Sequence, residues 1–96
     1  MDTEPIFEWD ERKRRFNLRK HELDFVDCAT LFCGPVLTVI DDRYDYRETR
    51  FQTLGLLRSR LVAVAHTDDG GIIRIISMRK ATTHEEADYF EKTFQD

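Results

Sequence analysis

The sequence predicts an α+β domain in which a small antiparallel sheet packs against helices. Two apolar runs, residues 61–67 and 72–78, flank the turn Asp68-Asp69-Gly70-Gly71, which predicts an antiparallel hairpin. Two further runs rich in apolar or β-branched residues, 36–40 and 47–56, predict the other strands of a four-strand meander. A cationic stretch after the N-cap Asp10 and helical spacing of apolar residues after Asp24 predict two helices before the meander, and apolar spacing after Thr82 predicts one helix after it.

The composition limits how this fold is organised. With 96 residues and 41% hydrophobic content, we expect one compact domain over residues 1–96 with a small core. The first residues are acidic rather than basic and then apolar, and no apolar run approaches the roughly 20 residues that span a bilayer. Cys28 and Cys33 are too few for a disulfide framework. We therefore expect a cytoplasmic protein with no membrane contact.

The N-terminal part predicts a short edge strand followed by a cationic helix. Residues 6–9 alternate in polarity, and Asp10 suits the N-cap of a helix over residues 11–21. That helix is rich in Lys and Arg, so it predicts a wide basic face. Lys13, Asn17 and Lys20 are spaced to line one side of it.

A second helix is predicted after Asp24, which is a suitable cap, and before Gly34-Pro35, which stops it. Its apolar residues recur at helical spacing and predict a buried stripe. They are Phe25, Cys28, Ala29 and Phe32.

The closing helix is predicted to begin at Thr82 or Thr83. Thr82 and Glu85 have the spacing of a capping box. Ala87, Phe90 and Phe94 recur at helical spacing, so we expect them to face the core.

The hairpin predicts which cations share a face of the sheet. If Thr67 pairs with Ile72, the alternation of the last strand places Ser77 and Arg79 on one face and Arg74 on the other. Arg74 then reaches the same site as Arg79 only through strand twist or a sheet edge.

The charge of the chain is unevenly distributed. The net charge is −4, but residues 12–80 hold 14 Lys or Arg against 9 Asp or Glu, and the acids concentrate at the two ends. A basic middle predicts binding to a polyanion. Ordinary solvation of a charged surface explains the same pattern.

Several motifs occur in an order and spacing that resemble the BrnT family, over about residues 6–90. They are Phe7-Glu8-Trp9-Asp10, Asn17-Leu18-Arg19-Lys20-His21, residues 25–29, Glu48-Thr49-Arg50 and residues 74–82. The resemblance implies the toxin of a type II toxin-antitoxin module, with a RelE-like fold and an RNA-cleaving activity that inhibits growth. It also implies a ribbon-helix-helix antitoxin of the BrnA type, in a heterotetramer with an antitoxin dimer that binds operator DNA.

The chemistry of RNA cleavage without a metal indicates which residues to consider. The 2′-hydroxyl must lose a proton, the charge on phosphorus must be stabilised, and the leaving 5′-oxygen must be protonated. Arg50, Arg74 and Arg79 are the candidates for holding phosphate oxygens. Lys20 and His21 are the candidates for acid or base.

Three further residues are candidates for binding RNA. Trp9 is suited to stacking on a base, Lys13 belongs to the basic helix face, and Lys80 supports Arg79 beside the last helix. No ligand spacing for zinc and no phosphate loop is present in the sequence, so we expect neither a metal nor a cofactor.

The sequence leaves other interpretations of these residues open. Lys20 and His21 at a helix end complement the helix dipole equally well. Trp9 suits a core anchor, Arg74 suits a sheet residue whose stem covers apolar surface, and His66 suits a packed histidine better than a catalyst. The alternative to a ribonuclease is a non-catalytic module that binds a protein or nucleic acid.

Overall fold

The computed structural model describes residues 4–43 and 47–94. Within these two ranges, five strands and three α-helices follow one another, with a 3-10 turn, Phe25–Asp27, before the second helix. Their bounds are β1 Ile6–Trp9, α1 Glu11–His21, α2 Cys28–Cys33, β2 Val36–Asp41, β3 Arg50–Leu57, β4 Arg60–His66, β5 Ile72–Lys80 and α3 Thr83–Thr93. No helix in these two ranges is long and apolar enough to cross a membrane.

The strands form one mixed sheet in the order β1-β5-β4-β3-β2. The predicted meander is confirmed, because β2, β3, β4 and β5 pair in sequence and antiparallel. The prediction of an antiparallel sheet throughout is wrong, because β1 lies parallel to β5. No short turn joins these two strands, so no hairpin geometry imposes an antiparallel direction on them.

The predicted helix boundaries are confirmed by the capping contacts. The Asp10 carboxylate accepts from the backbone amides of Arg12 and Lys13 at the start of α1. Asp24 caps the 3-10 turn, and Gly34 follows the last residue of α2. These contacts act within one turn of chain, so the local sequence is enough to predict them.

The helices α1 and α2 cover the first face of the sheet. Phe25, Cys28 and Leu31 are fully buried there, but Ala29 is exposed, so the predicted stripe is partly wrong. The reason is the 3-10 turn, which has about three residues per turn and shifts the phase of the α-helix that follows.

The helix α3 covers part of the second face. Its one buried residue is Tyr89, whose hydroxyl donates to the Pro35 carbonyl over 2.6 Å. The prediction that Ala87, Phe90 and Phe94 face the core is wrong, because all three are exposed. The apolar spacing is present, but it lies on the solvent side of the helix.

The hairpin between β4 and β5 closes more tightly than the predicted pairing of Thr67 with Ile72. Asp69 pairs with Ile72, and their backbone amides and carbonyls exchange two hydrogen bonds of 3.0 Å. Gly70 and Gly71 form the loop, with φ of 61° and 92°. Positive φ at both positions is the geometry of a two-residue type I′ turn, which glycine adopts without strain.

Candidate active site

The alternation of β5 is interrupted at Ile76. Ala65 pairs with Ser77 and His66 with Ile75, so Ile76 is an extra residue opposite the partner strand. Residues on both sides of this bulge, Ile75 and Met78, therefore belong to the same hydrophobic core.

The bulge places Arg74 and Arg79 on one face. Arg74 precedes Ile75 and Arg79 follows Met78, and both of these neighbours belong to the core of the first face. Because neighbouring residues of a strand point to opposite faces, both arginines project to the second face. The cross-strand partner of Arg79 is Ala63, which packs in the core of that second face. The prediction that Arg74 and Arg79 point to opposite sides is therefore wrong, because it assumed an unbroken strand.

Arg74 and Arg50 meet at one carboxylate. The Nη2 of Arg74 donates to Oε1 of Glu48, and the Nε of Arg50 lies 4.0 Å from the same oxygen. Arg74 and Glu48 are both nearly half exposed, so solvent and solutes reach the group. We define Glu48, Arg50 and Arg74 as the sheet-face cluster.

Glu48 is a candidate site residue that is absent from the residues predicted from the sequence to act on RNA. It precedes Arg50 in the Glu48-Thr49-Arg50 motif, which was a usable signal. Its contact with Arg74, 26 residues away, depends on the tertiary fold.

One side of Arg74 is acidic. Glu8 lies opposite Arg74 in β1, and a shallow depression of about 440 Å³ beside it is also lined by Asp68 and Asp69. Carboxylates repel anions, so this side of Arg74 disfavours an anionic ligand.

Arg79 is held separately, by the first turn of α3. Its Nη1 and Nη2 donate to the two carboxylate oxygens of Glu85 over 2.8 and 2.9 Å. Glu85 also accepts from the Thr82 amide over 2.9 Å and from the Gln52 side chain over 2.6 Å. These hydrogen bonds, with that from Arg79 contributing most, lower the pKa of Glu85 to about 2.

Arg79 is thus fixed in orientation and partly neutralised. The bond to Glu85 raises the pKa of Arg79, and 37% of its side chain is exposed. Lys80 is exposed at the end of β5, and its carbonyl accepts a further bond of 3.2 Å from Arg79.

The helix α1 and the bulge enclose a second region. A depression of about 670 Å³ lies between them, which we call the α1 depression, and Ile76 and Ser77 contribute to its lining from β5. Lys13, Lys20 and His21 also line it. Three predicted site residues are therefore brought together here.

Asn17 fastens α1 against β5. Its Oδ1 accepts from the Met78 amide over 3.0 Å, and its Nδ2 donates to the Leu23 carbonyl over 3.1 Å. The strand β1 pairs with β5 only as far as Ile75, so Asn17 satisfies a backbone group beyond the end of β1. This contact fixes the position of the α1 cations relative to the bulge.

Trp9 lines neither of these two depressions. Its ring packs on the core of the first face, edge-on to Phe25 at a centroid distance of 6.3 Å. Its Nε1 donates to Glu11 over 3.0 Å. The geometry favours the core anchor over the stacking platform for this residue.

The predicted site residues therefore form three groups. In the first group, Arg50 and Arg74 meet at Glu48. The second group lines the α1 depression and consists of Lys13, Lys20 and His21. The third is Arg79, which lies beside α3 and is followed by Lys80. Ser77 lies between the second and third groups, because it lines the α1 depression and is on the same strand face as Arg79. Among the described residues, no three His, Cys, Asp or Glu side chains are arranged to hold a metal ion.

Comparison with known proteins assigns a family to this arrangement. Residues 9–85, more than half of the chain, match the family model described as "Ribonuclease toxin, BrnT, of type II toxin-antitoxin system". No curated protein matches the chain. The matched range includes the sheet-face cluster, the α1 depression and Arg79.

Proposed function

Because the chain belongs to the BrnT family of ribonuclease toxins of type II toxin-antitoxin systems, we propose that it is an endoribonuclease that cleaves RNA without a metal ion. The observation that carries this proposal is the sheet-face cluster. A carboxylate between two guanidinium groups on an open surface supplies a proton acceptor and two phosphate ligands together. We further propose that the chain is a single domain whose fold is related to that of RelE-type ribonucleases, and that it acts on RNA in the cytoplasm.

The proposed reaction is attack of the 2′-oxygen on the adjacent phosphorus. The P–O2′ bond forms and the P–O5′ bond breaks, which gives a 2′,3′-cyclic phosphate and a free 5′-hydroxyl. Glu48 accepts the proton of the 2′-hydroxyl, and an acid gives a proton to the 5′-oxygen. Arg50 and Arg74 hold the non-bridging oxygens, where negative charge develops.

Glu48 suits the role of base because of its neighbours and its exposure. Arg74 donates to its carboxylate, Arg50 lies 4.0 Å from the same oxygen, and its exposed position lets a ribose approach. When a phosphate engages the two guanidinium groups, it weakens their hold on Glu48, which frees the carboxylate to accept a proton. Lys20 and His21 remain the candidates for the acid, from the α1 depression.

Arg79 has a proposed role in substrate binding or charge stabilisation, with Lys80 in support. It lies on the same strand face as Arg74, and more than a third of its side chain is open to solvent. Its ion pair with Glu85 explains the same position structurally, so the two roles need separate tests.

The test uses purified full-length chain, free of antitoxin, with RNA in the presence of a metal chelator. We expect cleavage products with 5′-hydroxyl ends, and a rate about 10²- to 10⁴-fold lower for Glu48→Gln, the usual range for loss of an acid or base. Glu86→Gln is the matched control, because Glu86 is an exposed carboxylate of α3 outside the cluster. Unchanged cleavage by Glu48→Gln would exclude Glu48 as the base, and cleavage that requires added metal would contradict the proposed mechanism.

A type II toxin has an antitoxin partner, and we propose one of the BrnA type, a ribbon-helix-helix dimer in a heterotetramer that contacts operator DNA. The outer side of α3 supports a partner-facing role, because acidic residues such as Glu86 and Glu91 surround Phe90 and Phe94, which are 45% and 54% exposed. Co-purification with the neighbouring gene product, followed by light scattering, tests the partner and the stoichiometry. A complex that leaves α3 accessible to protease would count against this surface.

A further inference from the structure

The helix α1 carries five cations that have no ion-pair partner among the described residues. Arg14 is its sixth cation, and it is used internally, in ion pairs with Asp24 at 2.7 Å and Glu11 at 3.0 Å. The other five are exposed, and all of them line the α1 depression. They are Arg12, Lys13, Arg15, Arg19 and Lys20.

This arrangement differs from an ordinary solvated helix. Surface helices commonly pair a cation with an acid three or four residues away, and here Arg14 alone makes such a pair, with Glu11. No carboxylate of the described residues lines the depression. Five positive charges within a helix of about 16 Å repel one another, so an anionic partner gains their combined attraction.

Phe16 lies in the middle of these charges. Its side chain is 58% exposed although it lines the depression, and the Nζ of Lys20 lies 5.9 Å from the centre of its ring. The bulge residue Ile76 adds apolar surface to the same depression. An open aromatic face surrounded by cations matches a ligand that has both flat apolar rings and negative charges.

Single-stranded RNA is the ligand with this chemistry. Unpaired bases stack on aromatic side chains, while cations contact the phosphates between them. In a duplex the bases are stacked on one another and their flat faces are not available to Phe16. An acidic protein would use the cations, but would leave the exposed aromatic ring without a specific role.

We propose that the α1 depression binds single-stranded RNA next to the reaction site, with Phe16 stacked on an unpaired base. Arg12, Arg15 and Arg19 contact the flanking phosphates. This inference rests on the proposed function, because it places the bound strand so that its backbone continues past Ser77 towards the sheet-face cluster. It adds a preference for unpaired RNA that is set by a residue outside the reacting groups.

The experiment measures binding of a fluorescent 2′-O-methyl oligouridine to the full-length chain. Since the 2′-oxygen is blocked, this probe is not cleaved, and binding is read independently of catalysis. We expect Phe16→Leu to weaken binding roughly 5- to 150-fold, the range for loss of one stacked base. The dependence of binding on salt should stay unchanged, because no charge is removed.

The charge variants give the complementary result. For the double variant Arg12→Gln and Arg19→Gln, the slope of log affinity against log salt should fall by about 1.4, or 0.7 for each phosphate contact to a single strand. The matched controls are Ile40→Val, an exposed apolar residue of β2 at the other edge of the sheet, and Lys92→Gln on α3, which packs near β2. Both should bind the probe as the unmodified chain does.

Two outcomes would overturn the inference. One is unchanged binding of the RNA probe by Phe16→Leu. If that variant binds the probe normally but no longer binds the antitoxin, the surface is a protein-binding site. The other is equal affinity for the single strand and for its duplex with 2′-O-methyl oligoadenosine. Binding of the probe by a chain that fails to cleave RNA would instead contradict the proposed function and leave this inference standing.

Discussion

Arg74 and Arg79 project from the same face of the sheet, although an unbroken strand would turn residues five apart to opposite faces. The extra residue Ile76 accounts for the difference, and it also lines the α1 depression. One bulge therefore aligns the two arginines and shapes the neighbouring cationic surface. Bulges commonly re-aim side chains next to active sites in this way.

Loss of Arg79 should affect stability and cleavage separately. We expect Arg79→Ala to lower the free energy of unfolding by about 1–2 kcal/mol, because it removes a two-bond ion pair that is partly buried. Glu85→Gln should cost a similar amount, since glutamine retains the capping position of α3 but not the charge. Urea denaturation measures both.

Cleavage assays on the same two variants decide the role of Arg79. If Arg79 contacts RNA, Arg79→Ala loses activity and Glu85→Gln retains it. Equal activity losses in both variants would indicate a structural role alone.

Asn17 should be a major stabilising residue despite its polarity. Asn17→Ala leaves the Met78 amide and the Leu23 carbonyl buried without these partners, which we expect to cost about 2–4 kcal/mol. Arg19→Ala, at an exposed position on the same helix, should change stability by about 0.5 kcal/mol or less. Faster hydrogen exchange at the Met78 amide would locate the effect, and unchanged exchange there would contradict it.

His66 should make stability depend on pH. It is buried, as predicted, its Nδ1 donates to the Thr67 carbonyl over 3.1 Å, and its Nε2 lies 2.7 Å from the Thr53 hydroxyl. Burial lowers the pKa of His66, against smaller opposing effects of the Thr67 carbonyl and of Asp68. The unfolded chain therefore binds a proton that the native chain excludes once the pH falls below about 6.5.

We accordingly expect the free energy of unfolding to fall as the pH decreases below about 6.5, and to keep falling until the lower native pKa is reached. Urea titrations across this range measure the effect. The dependence should weaken in His66→Gln and persist in His84→Gln, which changes an exposed histidine. A native pKa of His66 at or above its ordinary value, measured by NMR, would contradict the prediction.

The two cysteines should differ in reactivity. Cys28 is fully buried, and burial raises its pKa to about 12, while Cys33 is exposed. Because the thiolate is the reactive form, a thiol reagent should modify one cysteine in the native chain and two after denaturation. The Cys33→Ser variant should be unreactive while folded, and rapid modification of it would show that Cys28 is accessible.

The sequence determined the features that depend on neighbouring residues. The caps at Asp10 and Asp24, the end of α2 before Gly34, and the capping box of Thr82 and Glu85 each act over a few residues. The meander followed for the same reason, because short connections constrain consecutive strands to pair antiparallel. The family motifs also lie in the sequence, and they predicted the family that the comparison confirmed.

The tertiary structure alone decided which residues meet. The contact of Glu48 with Arg74, the parallel pairing of β1 and the bulge at Ile76 all join parts of the chain that are distant in sequence. The orientation of α3 is a further example. Glu85 binds Arg79 and Gln52 on the sheet, so Tyr89, one turn later, also faces the sheet and the stripe of Phe90 and Phe94 faces solvent.

The physical reason is that a periodic pattern fixes which residues share a side, but not what that side contacts. The α3 helix has two apolar sides, and the buried Tyr89 lies on the side of Glu85, which pairs with Arg79 on the sheet. In β5 the alternation is correct on each side of Ile76, and one inserted residue reverses its phase. Composition and spacing therefore predicted candidate residues for a site, while long-range contacts decided which of them meet.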